Sequence, residues 1–208
     1  MAVNFDARAK AWDTPERAER AGKLAGEMAR RLPAEAFSRV LEFGCGTGLL
    51  SFSLLKRIGT AVLVDSSEGM IDIVRKKIAD ARAEGRVTAL CRDIASGVAT
   101  GDRFSCAYSS MSLHHIREIS PVAKAIGALL APGGYLSVID LCPDNGLFHR
   151  HEPGFDGHDG FEPTALAEVF GAEGFDYLSS DIVFSGEREH DGTRHGYALF
   201  MLIMRKKG

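Results

Sequence analysis

The stretch that decides the fold is Val40-Leu41-Glu42-Phe43-Gly44-Cys45-Gly46-Thr47-Gly48, an apolar run that ends in three alternating glycines. The run from Arg39 to Phe43 predicts a buried strand, and the apolar stretch from Leu49 to Leu55 predicts the helix that follows it. Glycines between a strand and a helix allow a tight turn and a close approach of a ligand, because they have no Cβ. The N-terminus of the helix offers unpaired N–H groups at the same place. The sequence therefore predicts a ligand site at the end of the first strand.

The spacing of these glycines separates two kinds of nucleotide site. A dinucleotide-binding loop has the pattern G-x-G-x-x-G, whose third glycine allows close packing of helix on strand. Here Gly48 comes one residue earlier, and Glu42 stands two residues before the first glycine. The stretch resembles the first motif of class I S-adenosylmethionine-dependent methyltransferases, E/D-x-G-x-G-x-G. The resemblance implies an α/β fold with a Rossmann-like, doubly wound, seven-stranded sheet of order 3-2-1-4-5-7-6, in which strand 7 is antiparallel.

The motifs that follow along the chain come in the same order as in that family. The run from Thr60 to Val64 predicts a second strand that ends in Asp65, where a carboxylate can accept hydrogen bonds from both hydroxyls of a ribose. The third predicted strand, Val87 to Cys91, precedes Asp93 and Ile94. At the position of Asp93 the family has an acidic residue that contacts the amino group of the adenine. At the position of Ile94 it has an apolar residue that packs against the adenine ring.

Two further predicted strands complete the resemblance. The fourth, Phe104 to Ser109, ends at the edge of the sheet that would face the methyl group, and Leu130 to Leu136 resembles the family's turn into the fifth strand. The cofactor implied is S-adenosylmethionine, with S-adenosylhomocysteine as its product. The residues expected to bind it are Glu42, Gly44, Cys45, Gly46, Gly48, Asp65, Ser66, Met70, Asp93, Ile94 and Ser109.

Composition is ordinary for a soluble globular protein, with 208 residues, 45% hydrophobic and 25% charged. A net charge of -3 argues against a nucleic-acid partner, which usually meets a basic surface. No apolar run approaches the roughly 20 residues that span a bilayer, and the first thirty residues mix charges unlike a secretory signal. We therefore expect a cytoplasmic protein without a membrane partner, and the sequence leaves its oligomeric state open.

We expect residues 1–208 to form a single methyltransferase domain with three parts. These are an N-terminal helical lid (1–35), a cofactor-binding core (36–141), and a substrate loop with a helix and a hairpin (142–208). In the first part, Pro15 suits the first turn of a helix capped by Thr14 or Asp13. In the last, a helix is predicted from about Pro163 to Ala172, followed by strands Tyr177 to Ser185 and His195 to Met204 with a charged connection.

The segment after the fourth strand bears on the acceptor. Enzymes that methylate adenine bases or glutamine amides have [N/D]-P-P-[Y/F] here, whereas this chain has Ser109-Ser110-Met111-Ser112. The catechol O-methyltransferases use a carboxylate here and an Asp-Asn pair near the fifth strand; Asp144-Asn145 matches only the pair, which argues against magnesium. The sequence Ser-Leu-His-His-Ile resembles the small-molecule group instead. We therefore expect methyl transfer to an oxygen, nitrogen, sulfur or carbon atom of a small molecule.

Histidines follow this strand directly. His115, and second to it His114, could act as a general base because imidazole titrates near neutrality. Alternatively, both begin the next helix, where one caps it and the other packs beneath the cofactor. The loop histidines could contact the acceptor, but their spacing matches no defined ligand set, so we expect no metal site. Residues proposed to contact the substrate are Trp12, Met111, His149 and His158. Trp12 and Phe5 could close the other side of the pocket as a lid, or could equally anchor the N-terminal helix on the core.

Two other functions stay open from the sequence. One is an NAD(P)-dependent oxidoreductase on a Rossmann-like sheet, against which the glycine spacing and Pro132-Gly133-Gly134 argue. The other is a non-catalytic protein that binds S-adenosylmethionine.

Overall fold

A seven-stranded sheet forms the centre of a computed structural model that describes residues 4–98, 103–152, 154–190 and 192–208. Its strands are β1 Arg39–Phe43, β2 Thr60–Asp65, β3 Val87–Cys91, β4 Phe104–Ser110, β5 Leu130–Leu141, β6 Phe175–His190 and β7 Thr193–Lys206. In the described residues the order is β3-β2-β1-β4-β5-β7-β6. The first five strands are parallel, and β7 runs antiparallel to both β5 and β6. The predicted order and the antiparallel seventh strand are confirmed.

Helices cover both faces of this sheet. They are α1 Phe5–Arg8, α2 Pro15–Arg31, α3 Leu49–Leu54, α4 Glu68–Asp80, α5 Ile119–Leu129 and α6 Pro163–Ala172. Short 3-10 turns lie at Ala9–Ala11, Ala34–Phe37, Ile94–Ser96 and Leu113–His115. Alternate residues of β1 point into two apolar clusters, Val40 into one and Leu41 into the other. A parallel strand buried on both faces in this way needs helices on both sides.

The N-terminal helices begin as the sequence predicts. The Thr14 hydroxyl accepts a 3.3 Å hydrogen bond from the Arg17 amide, and Pro15 is the first residue of α2. Thr14 is therefore the cap, and the predicted alternative, Asp13, is not. The apolar stripe of α2 is buried on the core through Ala21, Leu24, Ala25 and Met28.

The C-terminal hairpin is longer than predicted, and its charged residues belong to the strands themselves. Glu187 pairs with Gly196 and Arg188 with His195 in the antiparallel ladder of β6 and β7. The prediction followed hydrophobicity, whereas backbone hydrogen bonding continues the ladder past the last apolar residue. The hairpin therefore reaches from the core to the side of the loop that follows β5.

The connection from β3 to β4 is reduced, as its length predicts. In the part described it contains the single 3-10 turn Ile94–Ser96, and residues 99–102 of the predicted connection lie outside the described residues. Among the described helices, none is both long and apolar enough to cross a membrane.

Candidate active site

A cavity of about 410 Å³ opens at the carboxyl ends of the central strands. This volume falls within the range of roughly 300–1,000 Å³ that is usual for small-molecule and cofactor sites. Such a position, outside the strand ends where the sheet order reverses, is where doubly wound folds bind ligands. The predicted site residues that line it are Trp12, Glu42, Gly44, Cys45, Gly46, Asp65, Ser66, Met70, Asp93, Ile94, Met111 and His115.

The glycine loop has a backbone that only glycine adopts easily. Gly44, Gly46 and Gly48 have φ angles of +60°, +53° and +76°. A Cβ on Gly44 would lie 1.8 Å from the Ser112 hydroxyl oxygen, and one on Gly46 would lie 3.7 Å from the Trp12 ring nitrogen. The loop therefore passes directly beneath the end of β4 and the N-terminal segment, and leaves its amides close to the cavity.

Asp65 fixes this loop. Its carboxylate accepts hydrogen bonds from the amides of Gly46, at 2.7 Å, and Ser67, at 2.9 Å. Burial raises the pKa of Asp65 above its ordinary value, although these backbone hydrogen bonds counteract it. The side chain also lines the cavity, so the predicted ribose contact is compatible with its position.

Glu42 lies at the floor of the cavity and is almost fully buried. Ser51 donates its hydroxyl proton to the Glu42 carboxyl group, and the Ser51 and Tyr108 hydroxyl oxygens are 2.7 Å apart. Burial raises the pKa of Glu42 to about 8, in spite of the Ser51 hydrogen bonds. Glu42 is therefore largely protonated at neutral pH and offers little charge to a ligand before binding.

Two further predicted contacts lie at the rim. Asp93 accepts a 2.9 Å hydrogen bond from the Ala95 amide and thereby caps the turn that presents Ile94. Cys45 lines the cavity with a thiol that donates to the Gly46 carbonyl at 3.4 Å. Burial raises the pKa of Cys45 well above its ordinary value, so the thiol stays neutral.

The N-terminal segment covers the cavity. The rings of Phe5 and Trp12 are 5.7 Å apart, edge to face, and Phe5 lies 5.0 Å from the His115 ring. The Asp6 carboxylate accepts hydrogen bonds from the Ser67 hydroxyl and the Gly69 amide, which anchors the segment on α4. Both predicted roles of Phe5 and Trp12 are thus compatible with the structure, since the aromatic pair lines the cavity on an anchored segment.

Two arginines of α2 line the cavity and were not predicted. Arg17 donates a 2.9 Å hydrogen bond to the Trp12 carbonyl and its guanidinium lies 4.0 Å from the centroid of the Trp12 ring. Arg20 donates to the Tyr197 hydroxyl at 3.2 Å. The pKa of Arg17 is lowered, first by burial and then by repulsion from the nearby cations Arg20, Arg188 and Arg8. The sequence signal was the i,i+3 spacing of Arg17 and Arg20, which places both on one face of a helix.

Three histidines meet beside the cavity. The rings of His114, His115 and His149 each offer a nitrogen atom, and these atoms lie within 4.8 Å of one another. His115 lines the cavity, whereas His114 and His149 are buried behind it. Burial, followed by repulsion from His114 and His149, lowers the pKa of His115 to about 3. His115 is therefore neutral at physiological pH, and its conjugate acid is too strong for an efficient general base.

Five predicted residues do not line the cavity: Gly48, Ser109, His114, His149 and His158. Ser109 is buried in β4, which continues to Ser110, and the residues of this segment that reach the cavity are Ser110, Met111 and Ser112. The ring of His158 donates its Nε2 proton to the Ile116 and Arg117 carbonyls, at 3.0 and 3.1 Å. His158 therefore ties its loop to the turn after β4, and its predicted contact with the acceptor stays a prediction.

Met111, which lines the cavity, has an unusual backbone. Its φ angle is +55°, a conformation that costs energy for a residue with a side chain. Its amide donates a 2.9 Å hydrogen bond to the Ile139 carbonyl, which holds the turn after β4 in this conformation. Backbone strain of this kind is often concentrated at functional sites.

Comparison with known protein families agrees with this geometry. Residues 40–134, which include the glycine loop, Asp65, Asp93 and the turn after β4, match a family described as a methyltransferase domain. A methyltransferase of Schizosaccharomyces pombe, named as uncharacterized, is 29% identical over 144 residues, which make up 63% of this chain and 51% of that protein. The trans-aconitate 2-methyltransferase of Variovorax paradoxus is 31% identical over 131 residues, 62% of this chain and 46% of that protein. The chain thus spans about half the length of these curated relatives.

A solved structure agrees on the fold. The magnesium protoporphyrin IX methyltransferase of Synechocystis, determined with bound S-adenosylhomocysteine, has a TM-score of 0.64 and 18% sequence identity to this chain. The match covers 92% of this chain and 83% of that one. At this level of identity the likeness concerns the arrangement of the sheet and helices alone.

Proposed function

We propose that this chain, which carries a class I S-adenosylmethionine-dependent methyltransferase domain, transfers a methyl group from that cofactor to a small-molecule acceptor. The observation that carries the proposal is the glycine loop, whose left-handed backbone faces Asp65 and Asp93 across one cavity. A side chain on Gly44 would collide with Ser112, and one on Gly46 would enter the space between the loop and Trp12. The cavity thus suits a ligand with a ribose and an adenine ring, and the family match argues against the alternative of a nicotinamide cofactor.

The chemistry required of the protein is modest. The bound cofactor supplies an electrophilic methyl carbon on a sulfonium. The glycine loop, Asp65 and Asp93 hold the nucleoside, while Phe5 and Trp12 cover the cavity and exclude water. Aligned reactants can reach effective molarities of about 10⁵ M or more, so positioning alone can supply much of the rate.

The arginines support an acceptor with an anionic group. Arg17 and Arg20 both line the cavity, and the pKa of Arg17 reflects burial beside other cations. Arg17 stacks on Trp12, next to the glycine loop, and is placed to bind the carboxylate of the cofactor. Arg20 lies further along α2, beside Tyr197, and is placed to bind an acidic acceptor. The similarity to a trans-aconitate 2-methyltransferase supports an acid as the acceptor.

The predicted general base is less well supported. His115 lies at the cavity, but its low pKa makes it a weak base, and His114 is buried behind it. A carboxylate acceptor needs no base, because it is already ionised at neutral pH. We therefore attribute the rate of methyl transfer mainly to the positioning of cofactor and acceptor. The cytoplasmic location stays a prediction.

The experiment is a turnover assay that measures formation of S-adenosylhomocysteine. The acceptor panel groups di- and tricarboxylic acids, phenols, amines and thiols, with each compound tested at several concentrations. We expect acceptor-dependent turnover with the acids. Binding of the cofactor without turnover on any group would favour the non-catalytic alternative.

A pair of variants separates the two arginines. Arg17→Gln is expected to weaken cofactor binding, and Arg20→Gln is expected to raise the KM for the acidic acceptor with little change in cofactor affinity. Arg57→Gln is the matched control, since Arg57 is exposed and lies outside the cavity. Equal effects of the Arg17 and Arg20 variants on both ligands would contradict these separate assignments.

A further inference from the structure

We propose that His114, His115 and His149 bind a divalent transition-metal ion, with Zn²⁺ as the first choice, at the wall of the cavity. The sequence predicts no metal site, because the loop histidines alone have no ligand spacing. The structure brings together two segments whose proximity this spacing does not reveal. His114 and His115 lie in the turn after β4, and His149 lies in the loop after β5.

The distances between the three histidine rings suit binding of one metal ion. One ring nitrogen from each histidine lies within 4.8 Å of the other two, among the described residues. A zinc ion binds imidazole nitrogen at about 2.0–2.1 Å, so small side-chain rotations would bring the three nitrogens onto one ion. Two of the side chains are buried, His114 with 1% and His149 with 7% of its surface exposed.

Two ring nitrogens of the cluster are buried and have no hydrogen-bond partner among the described residues. Within the described part of the chain, Nε2 of His114 and Nε2 of His149 have no hydrogen-bond partner. Leaving a buried polar atom unpaired costs about 1–3 kcal/mol, so such atoms usually have a role. A metal ion beside both nitrogens would satisfy them at once.

The other ring nitrogen of each histidine is held by a carboxylate. Nδ1 of His114 is hydrogen-bonded to Asp140, which is fully buried at the end of β5. Nδ1 of His149 lies 3.0 Å from a carboxylate oxygen of Glu152. A hydrogen bond from Nδ1–H to a carboxylate fixes the tautomer and leaves the Nε2 lone pair free for a metal. This carboxylate–histidine pattern is the usual support of a metal-binding imidazole.

The donor set indicates the kind of ion. Three neutral imidazoles suit Zn²⁺, Co²⁺ and related ions, whereas Mg²⁺ and Ca²⁺ prefer oxygen ligands. Asp140 adds a fully buried carboxyl group, which contacts Nδ1 of His114 and accepts a 2.8 Å hydrogen bond from the Leu141 amide. The negative charge of Glu152 is compensated by Arg8, whose guanidinium lies 3.1 Å away.

The position of the cluster suggests its use. His115 is the member that lines the cavity, so an ion here would border the space assigned to the acceptor. Catalytic zinc sites commonly have three protein ligands and keep one coordination position for water or substrate. A carboxylate or hydroxyl oxygen of the acceptor could occupy that position. This role, unlike metal binding itself, rests on the proposed function.

The alternative is a histidine cluster held by packing alone. The His149 ring stacks on Phe155 with a centroid distance of 3.9 Å and an interplanar angle of 10°. Such packing explains where His149 lies, but it leaves both Nε2 atoms unpaired. Metal binding and packing therefore differ in whether the purified protein takes up an ion.

The experiment uses untagged full-length protein, stripped with a chelator and reloaded with Zn²⁺ or Co²⁺. We expect one ion per chain by elemental analysis, and a Co²⁺ spectrum with the visible bands of a site of low coordination number. Thiolate charge-transfer bands should be absent from the Co²⁺ spectrum, which separates this site from binding at the four cysteines. Zn²⁺ should also raise the midpoint temperature of thermal unfolding, because the ion would join the turn after β4 to the loop after β5.

Variants locate the ion. His149→Ala should abolish stoichiometric binding, and because His149 lies in a loop, the sheet should stay folded. Asp140→Asn should lower metal affinity by roughly 10–100-fold. His151→Ala is the matched control, since His151 lies in the same loop with an exposed side chain and is not part of the cluster. Its metal affinity should equal that of the unaltered protein.

Two results would overturn the proposal. The first is a stripped and reloaded protein that binds less than a tenth of an equivalent of either ion while its thermal transition is cooperative. The second is equal metal binding by the His149→Ala variant. Calorimetric titration of the metal-free protein with S-adenosylhomocysteine keeps the two proposals apart, because the cofactor contacts include none of the three histidines. Cofactor binding without metal uptake would thus reject the metal site alone.

Discussion

The carboxylate of Asp65 accepts a 2.7 Å hydrogen bond from the amide of Gly46, so the end of β2 holds the glycine loop that follows β1. The same carboxylate accepts a hydrogen bond from the Ser67 amide at the start of α4. One side chain therefore supports both the loop and the helix that border the cavity. Its loss should affect cofactor binding both through the missing ribose contact and through the looser loop.

Replacing Asp65 should weaken cofactor binding without unfolding the chain. A charge-assisted hydrogen bond is worth about 1.5–3 kcal/mol, so Asp65→Ala should raise the Kd for S-adenosylhomocysteine by roughly ten- to a hundredfold. Calorimetry measures this directly. Asp72→Ala is the matched control, because Asp72 is exposed on α4 and pairs with Arg75. Equal affinity in both variants would remove Asp65 from the site.

Gly44→Ala should distort the glycine loop. The new Cβ would lie 1.8 Å from the Ser112 hydroxyl oxygen, and its φ of +60° disfavours any side chain. We expect a loss of roughly 1–3 kcal/mol in the free energy of unfolding, together with loss of cofactor binding. Urea denaturation and calorimetry give the two quantities.

A helical glycine supplies the control for that variant. Gly22 is exposed in α2, and a Cβ there would meet nothing within 4 Å. Gly22→Ala should therefore stabilise the protein by about 0.5–1 kcal/mol. The double variant Gly44→Ala/Ser112→Gly should recover part of the lost stability; no recovery would show that backbone strain, and not the contact with Ser112, dominates.

Glu42 should make the stability of the ligand-free protein fall as pH rises. Its folded pKa is about 8 against an ordinary value of 4.5, so between these values the folded state holds one more proton than the unfolded state. The free energy of unfolding then decreases with pH, by at most about 1.4 kcal/mol per pH unit from this group. Glu42→Gln should remove that contribution. Denaturation curves of both proteins from pH 5 to 8 test it, and parallel profiles would contradict the buried, protonated state.

The segments over the cavity should become protected when ligands bind. These are residues 5–20 and the described part of 143–160, which the Arg8–Glu152 ion pair joins at 3.1 Å. Hydrogen exchange should slow in both segments upon addition of cofactor and acceptor, because they enclose the site. Arg8→Ala should reduce this protection, whereas Arg30→Ala, at the far end of α2, should not. Equal exchange with and without ligands would argue against a lid.

The part of the cavity that we propose to bind the cofactor could be predicted because its signals are local. Gly44 to Gly48, Asp65 and Asp93 each follow a predicted strand, and a parallel sheet brings the ends of such strands to one edge. The end of β4 was harder, since the strand continues to Ser110 and the Ser109 side chain is buried.

The acceptor half could not be predicted, because it depends on contacts between distant segments. His149 meets His114 only after the loop that follows β5 folds back over the turn that follows β4. Arg20 reaches the cavity because α2 packs beside the hairpin that carries Tyr197. The spacing of Arg17 and Arg20 places them on one face of a helix, but no pattern in a single sequence shows that this face meets Tyr197 or that His149 meets His114. The residues of greatest interest for specificity are therefore those that only the folded structure reveals.

The most direct test of the account is a calorimetric titration of the purified protein with S-adenosylmethionine, S-adenosylhomocysteine and NAD. We expect one molecule of either S-adenosyl ligand to bind per chain, competitively with each other, and NAD not to compete. Gly46→Val should abolish this binding while the protein stays folded, because the side chain would enter the space between the loop and Trp12. A folded protein that bound NAD, or that bound the S-adenosyl ligands equally well with valine at this position, would contradict the account.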